Sequence, residues 1–311
     1  MVPLVCVWCA AGAGPGTVSS MRRTLLAVDG TNLIHRNYHA RLSTDLRDAH
    51  GQPIWALDGV LRSLAKMIDE VRPTSLIVAL DPEGGCPSRR AENPQYKGGR
   101  GAPDEPLIEQ VARLRVMLDG LGLAGLSVPE WEADDVLASV ATQASERGVH
   151  VVVASSDKDV HQLIGDDVVV RKLEGTTLDA AGLSARYGVE ATRWVEYAAL
   201  LGEGADNLPG VTGIGPAKAA ALLAAYNDVE AAIADPAGAA TVIGARAGAS
   251  LVSLAERFRS NRRIGTLRRD LKLDVSRARL DRVDPEWLRL AGLAHGVEAA
   301  ADRLARYVGA H

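Results

Sequence analysis

Thr24-Leu-Leu-Ala-Val-Asp29 is an apolar run that ends in a carboxylate. Ser75-Leu-Ile-Val-Ala-Leu-Asp81 repeats the design, and Val149-His-Val-Val-Val-Ala-Ser-Ser-Asp157 repeats it again. Near-continuous apolar runs of this length suit strands buried on both faces, as in a parallel sheet. Between the runs, Leu57, Val60, Leu61, Leu64, Ile68 and Val71 recur at helical spacing. Leu107, Val111, Leu114 and Leu118 do the same, followed by Val136, Leu137, Val140 and Ala144. Alternating strands and helices predict an α/β domain over residues 21–189, with a central, mostly parallel sheet flanked by helices.

Residues 82–106 interrupt that alternation. The segment PEGGCPSRRAENPQYKGGRGAPDEP is rich in Gly and Pro, lacks an apolar period, and carries Arg89, Arg90, Lys97 and Arg100. A loop this long inside a compact domain is usually functional. Beyond residue 190 only helical patterns follow. Thr192–Leu201 reads as a helix, and Asp206-Asn-Leu-Pro-Gly-Val-Thr-Gly-Ile-Gly215-Pro216-Ala-Lys218 leads into an Ala/Leu helix that ends near Tyr226. Pro216 suits its first turn. A basic stretch holds Arg257, Arg259, Arg262, Arg263, Arg268, Arg269 and Lys272. Residues 190–285 are read as a helical second unit and residues 286–311 as a helical tail.

The chain has 311 residues, 47% hydrophobic and 24% charged, which places it in the soluble globular class. With a single Phe, its core must be built from Leu, Val, Ile and Ala. No run of 18 apolar residues occurs, so neither a spanning helix nor a membrane partner is expected. Residues 1–20 are uncharged, apolar and then Gly/Ala-rich. With no Lys or Arg ahead of the apolar run, they read as a start upstream of the natural one or a disordered extension, rather than an export signal. Cys6 and Cys9 have no second ligand pair at zinc spacing, and Cys86 is isolated. Three cysteines suit a reducing, cytoplasmic compartment.

The carboxylates carry the chemistry. Asp29, Asp81 and Asp157 each stand at the C-terminal end of a predicted strand, where an open parallel sheet binds its ligands. Glu132, Asp134 and Asp135 precede a helix, Asp159 follows Asp157, and Glu203 and Asp206 bracket the start of the Gly-rich turn. Each has an ordinary structural reading alone, as turn residue, helix cap or dipole partner. Nine carboxylates converging would repel and desolvate one another unless cations neutralised them, and hard oxygen ligands select Mg²⁺ or Mn²⁺. The formal charge of −4 argues against a nucleic-acid partner, but setting those nine aside leaves a net basic remainder. In the Gly-rich turn, Gly213 and Gly215 allow close backbone approach, helix N-terminal amides suit a phosphate, and Lys218 adds a point charge.

LLAVDGTNLIHRNYHA (25–40), YKGGR (96–100), EADDVLAS (132–139), SSDKDVHQL (155–163) and GADNLPGVTGIGPAKAA (204–220) together resemble the 5′-nuclease (flap endonuclease) family. The order and spacing are similar to the bacterial free-standing 5′–3′ exonucleases and the 5′-nuclease domain of DNA polymerase I, over about residues 24–275. The resemblance implies a PIN-like fold with a C-terminal helix–three-turn–helix DNA-binding unit. It also implies a structure-specific 5′-nuclease, both 5′–3′ exonuclease and 5′-flap endonuclease, hydrolysing DNA by two-metal-ion catalysis in replication and repair. Its substrates would be DNA with 5′ flaps, nicks or 5′ ends, met by a monomer.

By the same resemblance, Asp29, Asp81, Glu132, Asp134 and Asp135 would serve a first metal, and Asp157, Asp159, Glu203 and Asp206 a second. Asp135 and Asp157 would lie near both. Lys97 and Arg100 would meet the scissile phosphate, Tyr96 would stack an unpaired nucleotide, and residues 82–106 would form the arch. Arg36, Arg89, Arg90, Gly213, Gly215 and Lys218 would contact DNA, and the carbonyls of Val211 and Ile214 would hold K⁺. One departure stands out: the family's Gly-Asp-x-x-Asp-Asn is here Gly202-Glu203-Gly204-Ala205-Asp206-Asn207, one methylene longer at Glu203. It leaves open a non-catalytic or weakly active junction-binding homologue with an impaired second metal site; a PIN-like ribonuclease is a further alternative, since that fold also gathers strand-end carboxylates.

Overall fold

Buried strands and their crossover helices set the first half of the chain. The computed structural model describes residues 23–83, 85–99, 101 and 103–309. The expected extension at 1–20 and the cationic Arg100 lie outside the described residues. Strand β1 (Thr24–Asp29) runs directly into α1 (Gly30–Arg41), and α2 (Trp55–Val71) leads to β2 (Ser75–Ala79). A short α3 (Pro87–Glu92) and a long α4 (Glu105–Gly120) precede β3 (Gly125–Leu126). Then come α5 (Ala133–Ser145), β4 (His150–Ala154), β5 (Val168–Arg171), β6 (Thr177–Leu178) and α6 (Ala180–Tyr187).

The sheet order is β3-β2-β1-β4-β5-β6. Strands β1 to β5 pair in parallel, and β6 closes the edge antiparallel. From β1 the chain builds outward to β2 and β3 on one side, then returns to place β4 and β5 on the other. The switch point falls between β1 and β4, where the crossovers diverge and leave a crevice beyond the strand ends. Gly30 allows the immediate start of α1 there: a Cβ on it would sit 2.6 Å from the Val78 side chain and 2.9 Å from the Ala79 carbonyl oxygen.

Strand alternation divides the core into two layers. Leu25 and Ala27 face α5 through Val136, Leu137 and Val140. Leu26 and Val28 face the opposite layer with Leu57, Leu61, Leu64 and Leu114. The apolar spacing read from α2, α4 and α5 is therefore the spacing that fills these layers.

The helical half begins with α7 (Trp194–Leu201), followed by the two-stranded β7 (Gly202–Glu203) and β8 (Leu208–Pro209). Helices α8 (Pro216–Ala225), α9 (Val229–Ala234), α10 (Pro236–Ile243), α11 (Ala245–Ser253) and α12 (Ala255–Gly265) follow. Their apolar residues, Leu222, Leu251 and Phe258 among them, are continuous with the α5 layer. After α12 the chain does not end the helical unit with a free tail. It returns along the α/β layer: the Leu271 N–H donates to Ser139 Oγ, the Leu76 N–H to the Ala278 carbonyl, and the Leu280 N–H to the Thr74 carbonyl. Helices α13 (Pro285–Ala294) and α14 (Glu298–Ala305) then pack as a hairpin on the α2 layer, with Leu288, Val297, Ala301 and Leu304 buried.

This packing makes the C-terminal hairpin part of the first domain's core. Leu304, with none of its surface exposed, is expected to lose about 2–5 kcal/mol on change to Ala. Urea unfolding measures this; a loss below about 1 kcal/mol would show the hairpin to be an independent appendage.

Candidate metal centre and nucleic-acid interface

The strand-end carboxylates meet in one cleft of about 240 Å3, lined by Asp29, Asp81, Asp134, Asp157, Lys97 and Glu132, with Thr31, Asn32, His35 and Ala133. Each Asp is held by the local structure that its position in the chain creates. Asp29 caps α1: one carboxylate oxygen accepts from the Asn32 N–H at 2.8 Å and the other from the Ser155 hydroxyl at 2.8 Å. Asp81, just past β2, accepts from the Ala133 N–H at 2.8 Å, which ties it to the start of α5. Asp157, beyond β4, accepts from the Asp159 N–H at 2.9 Å. Asp134, in the first turn of α5, keeps a buried Oδ1 for which no hydrogen-bond partner is present.

Electrostatics show how crowded these groups are. Burial pushes the Asp29 carboxyl up to about 7 against its two hydrogen bonds, and the charges of Asp81 and Asp157 push it further. Burial and the Asp157 charge raise Asp159 to about 8, with Asp206 and Glu203 adding to the effect. Asp134 is raised well above the carboxylate range by burial and then by Asp157, Asp29, Asp159 and Asp81. These charges act on one another across the site: Asp159 feels Asp206 and Glu203, and Asp134 feels Asp157, Asp29, Asp159 and Asp81.

A divalent cation fits this site. The donors are all hard oxygens, they repel one another, and Asp134 Oδ1 is a buried acceptor with nothing to accept from. As the side chains stand, no group of three or more Asp, Glu, His or Cys among the described residues is closed around a single ion position. Several of the oxygens are turned instead to backbone and hydroxyl donors.

Two expected first-metal ligands are placed differently. Glu132 and Asp135 form a capping box at the start of α5 and are taken up by Arg89. Arg89 pairs with Glu132, reaches Asp135 at 3.0 Å and donates to the Ile264 carbonyl at 3.1 Å. Asp135, 0% exposed, also accepts from the Arg268 and Glu132 N–H groups. Glu132 accepts from Lys97 at 2.7 Å and from the Tyr96 hydroxyl at 3.1 Å. Burial works against the Glu132 charge, but Arg89 and Lys97 overcome it and hold its carboxyl low. In the sealed position of Asp135, burial outweighs Arg89 and raises the carboxyl. Every oxygen of these two groups already accepts a hydrogen bond; Glu132 lines the cleft, while Asp135 is sealed behind it.

The expectations for Arg89 and Tyr96 are corrected accordingly. Arg89, 8% exposed, neutralises carboxylates inside the protein and is not displayed to DNA. Tyr96 is buried with Leu208 and Ile264, its hydroxyl pinned to Glu132, so its ring face is closed to a nucleobase. Lys97 lies at the cleft wall at φ 56°, fixed by its N–H to the Asp206 carbonyl at 2.9 Å. Burial would lower its amine, and the Glu132 carboxylate raises it. Arg36 and Arg90 are exposed, Arg36 within 3.5 Å of Glu174.

On the second-metal side, Asp206 is buried, while Glu203 is exposed and its carboxylate accepts from the Ala205 N–H at 3.4 Å, capping its own turn. In the Gly-rich turn the Ile214 N–H donates to the Val211 carbonyl, and Gly213 takes the positive φ of 85° that a tight turn requires. Gly215 caps α8 in an ordinary extended conformation with open space before it, and Lys218 is exposed nearby. The basic stretch is largely paired: Arg259 with Glu230, Arg263 with Glu92, and Arg268 with Asp270. Arg269 donates to the Gln162 carbonyl.

The sequence reading missed Ser155, Thr31 and Gln162. Ser155 holds Asp29 and the Asp157 N–H; Thr31 receives the Asp81 N–H. Gln162 ties the Asp159 carbonyl to the Gly265 carbonyl. All three lie inside the motifs that were quoted for their charged members, and polarity next to a carboxylate was the available signal.

Two outcomes follow from this geometry. Arg89→Met leaves Glu132 and Asp135 buried without their cation, and is expected to cost about 3–5 kcal/mol in urea unfolding. A loss under about 1 kcal/mol would remove Arg89 from the frame. The second concerns pH. A carboxyl raised in the folded state binds its proton more tightly there than in the unfolded chain. Stability is therefore greatest below the unfolded carboxylate range and falls as pH rises through the folded values of Asp29 and Asp159, about 7 and about 8. In chelator the unfolding midpoint should fall from about pH 5 to about pH 8, and excess Mg²⁺ should flatten that fall. Equal pH profiles with and without Mg²⁺ would contradict it.

Residues 24–188 match the family model of the 5′-3′ exonuclease N-terminal resolvase-like domain, and residues 189–287 that of the 5′-3′ exonuclease C-terminal SAM fold. Thermostable DNA polymerase I of Thermus aquaticus is 40% identical over 208 residues, 67% of this chain and 24% of that protein. DNA polymerase I of Deinococcus radiodurans is 32% identical over 255 residues, 81% of this chain and 26% of that protein. The chain thus spans about a quarter of the length of these polymerases. Among solved structures, T5 D15 protein co-crystallised with metal ions superposes with TM-score 0.66 at 20% identity, covering 91% of this chain and 97% of that one. The catalytic core of Rad2 in complex with DNA substrate superposes with TM-score 0.57 at 17% identity, covering 93% and 94%. At those identities the structures speak for the fold, while the two family matches extend over the sheet, the carboxylate cleft and the helical unit: the chain belongs to the 5′-3′ exonuclease family.

Proposed function

We propose that this chain is a structure-specific 5′-nuclease that hydrolyses DNA phosphodiesters at 5′ flaps, nicks and 5′ ends, using two divalent cations, Mg²⁺ or Mn²⁺. The observation that carries this is the buried, unpartnered Asp134 oxygen within a cleft of mutually repelling carboxylates walled by Lys97. Asp29, Asp81, Asp134 and Asp157 would hold one ion. Asp157, Asp159, Asp206 and Glu203 would hold the other. Such ions, when bound, lower the pKa of water and offset charge on a leaving oxygen.

The chain's own groups do the rest. Arg89, Tyr96 and the capping box keep Glu132 and Asp135 fixed, so the first turn of α5 presents Asp134 at a constant position. Lys97 offers positive charge where a phosphoryl oxygen gains negative charge, and Arg36 and Arg90 are exposed cations that could meet DNA phosphates. Duplex phosphates would rest on the amides before α8 and on Lys218, so sequence preference would be slight. K⁺ at the Val211 and Ile214 carbonyls belongs to the same reading and would stiffen that turn.

Glu203 supports a second reading, a homologue that binds junctions with a weakened second metal site. Its carboxylate is exposed and turned to the Ala205 N–H. A labelled 5′-flap substrate with Mg²⁺ or Mn²⁺ separates the two. The nuclease reading expects cleavage by the wild type and a loss of roughly a hundredfold or more in Asp157→Asn. No wild-type cleavage, with flap binding intact and turnover gained in Glu203→Asp, would favour the second.

A further inference from the structure

The carboxylates assigned above to the second ion come from two parts of the chain. Asp157 and Asp159 follow β4 in the α/β domain, whereas Glu203 and Asp206 belong to the β7–β8 hairpin and its turn in the helical unit. A small hard cation tolerates little error in its oxygen distances, so the gap between the two parts has to be fixed. Two buried side-chain amides, Gln162 and Asn261, each 6% exposed, fix it through the C-terminal end of α12.

Gln162 lies in the short helical turn that begins at Asp159. Its Nε2 donates to the Asp159 carbonyl at 2.9 Å and to the Gly265 carbonyl at 2.9 Å, and its Oε1 accepts from the Leu267 N–H at 3.2 Å. The Asp159 N–H donates to Asp157, so the Asp159 backbone is held at both of its polar groups. Asn261, one turn before Gly265 on α12, reaches the other way. Its Nδ2 donates to the Ala199 carbonyl on α7 at 3.2 Å and to the Pro209 carbonyl on β8 at 3.0 Å. Pro209 pairs with Gly202, the neighbour of Glu203. One turn of α12 therefore carries both attachments. A neutral amide suits this place: it supplies two N–H donors to buried carbonyls and adds no charge beside crowded carboxylates.

We propose that Gln162 and Asn261 are positioning residues that gauge the second cation site, setting the Asp157–Asp159 turn against the Glu203–Asp206 hairpin through a single turn of α12. The proposal rests on the two-ion reading above, and neither amide is assigned to the ion itself.

Calorimetric titration of Mn²⁺ into the whole chain without DNA tests it, on the wild type, Gln162→Met, Asn261→Leu and Leu304→Ala. Met and Leu keep the volume of each amide and remove its donors. The wild type should bind two ions. In each amide variant one ion should bind as before and the other roughly tenfold or more weakly. Cleavage of a 5′ flap in single turnover should then need correspondingly more Mn²⁺ to reach half its maximal rate. Leu304→Ala, which loosens the C-terminal hairpin instead, should keep both affinities and so separates positioning from a general loss of stability. Unchanged affinities in the amide variants, or an equal loss in Leu304→Ala, would overturn the proposal. A wild type that binds one ion would overturn the two-ion reading beneath it. A wild type that binds two ions and cuts no flap would overturn the nuclease reading alone, with the weakened second ion of the amide variants still supporting the gauge. If one amide variant fails to fold, the other carries the same expectation from the opposite side of the turn.

Discussion

Repulsion among acidic side chains is the constraint around which this molecule is arranged. A parallel sheet brings its strand ends together, and here those ends carry Asp29, Asp81 and Asp157. The fold answers the repulsion in two ways. At the rear of the cleft it supplies an internal cation: Arg89 satisfies Glu132 and Asp135 and removes them from the quarrel. At the front it leaves the charges unanswered, so that Asp29, Asp134 and Asp159 shift toward the protonated form. Affinity for a hard cation arises from the second arrangement, and the first makes it tolerable.

Arg89 also explains why the short helix α3 sits where it does. A guanidinium that bridges α5 and the Ile264 carbonyl at the end of α12 pins residues 87–92 to both halves of the molecule. The neighbouring chain is fixed in turn, by the Lys97 N–H on the Asp206 carbonyl and the Asn207 side chain on the Gln95 carbonyl. The basic loop is thus anchored at its first part by the same acidic residues whose charge it moderates.

Much of this was legible in the sequence. The apolar runs gave β1, β2 and β4, and the helical periods gave α2, α4 and α5, because burial on fixed faces leaves a period that composition cannot hide. The strands β3, β5 and β6 have two to four residues each, too few to carry a pattern. The chemistry of the cleft was legible in kind but not in division of labour. A row of carboxylates is visible in any order, whereas which of them an arginine has claimed depends on side-chain geometry across 43 to 46 residues of chain. Likewise Arg89 and Arg263 look like part of a basic surface until Glu132, Asp135 and Glu92 are seen beside them. Tyr96 is similar: its ring is an aromatic in a polar loop by sequence, and a packed core residue with Leu208 and Ile264 in space.

The return of the chain from α12 along β2 and on to the α13–α14 hairpin has a consequence for biogenesis. One of the two core layers is closed by Leu288, Val297, Ala301 and Leu304. These are made after the sheet, after the cleft and after the helical unit. A nascent chain that has released every carboxylate from the ribosome still exposes the outer face of α2, and the apolar floor beneath the sheet stays wet until synthesis reaches the hairpin. The α13–α14 hairpin, translated after the sheet and the helical unit, therefore acts as a latch on the first helices, and the cleft reaches its folded stability only when the chain has been read to that point.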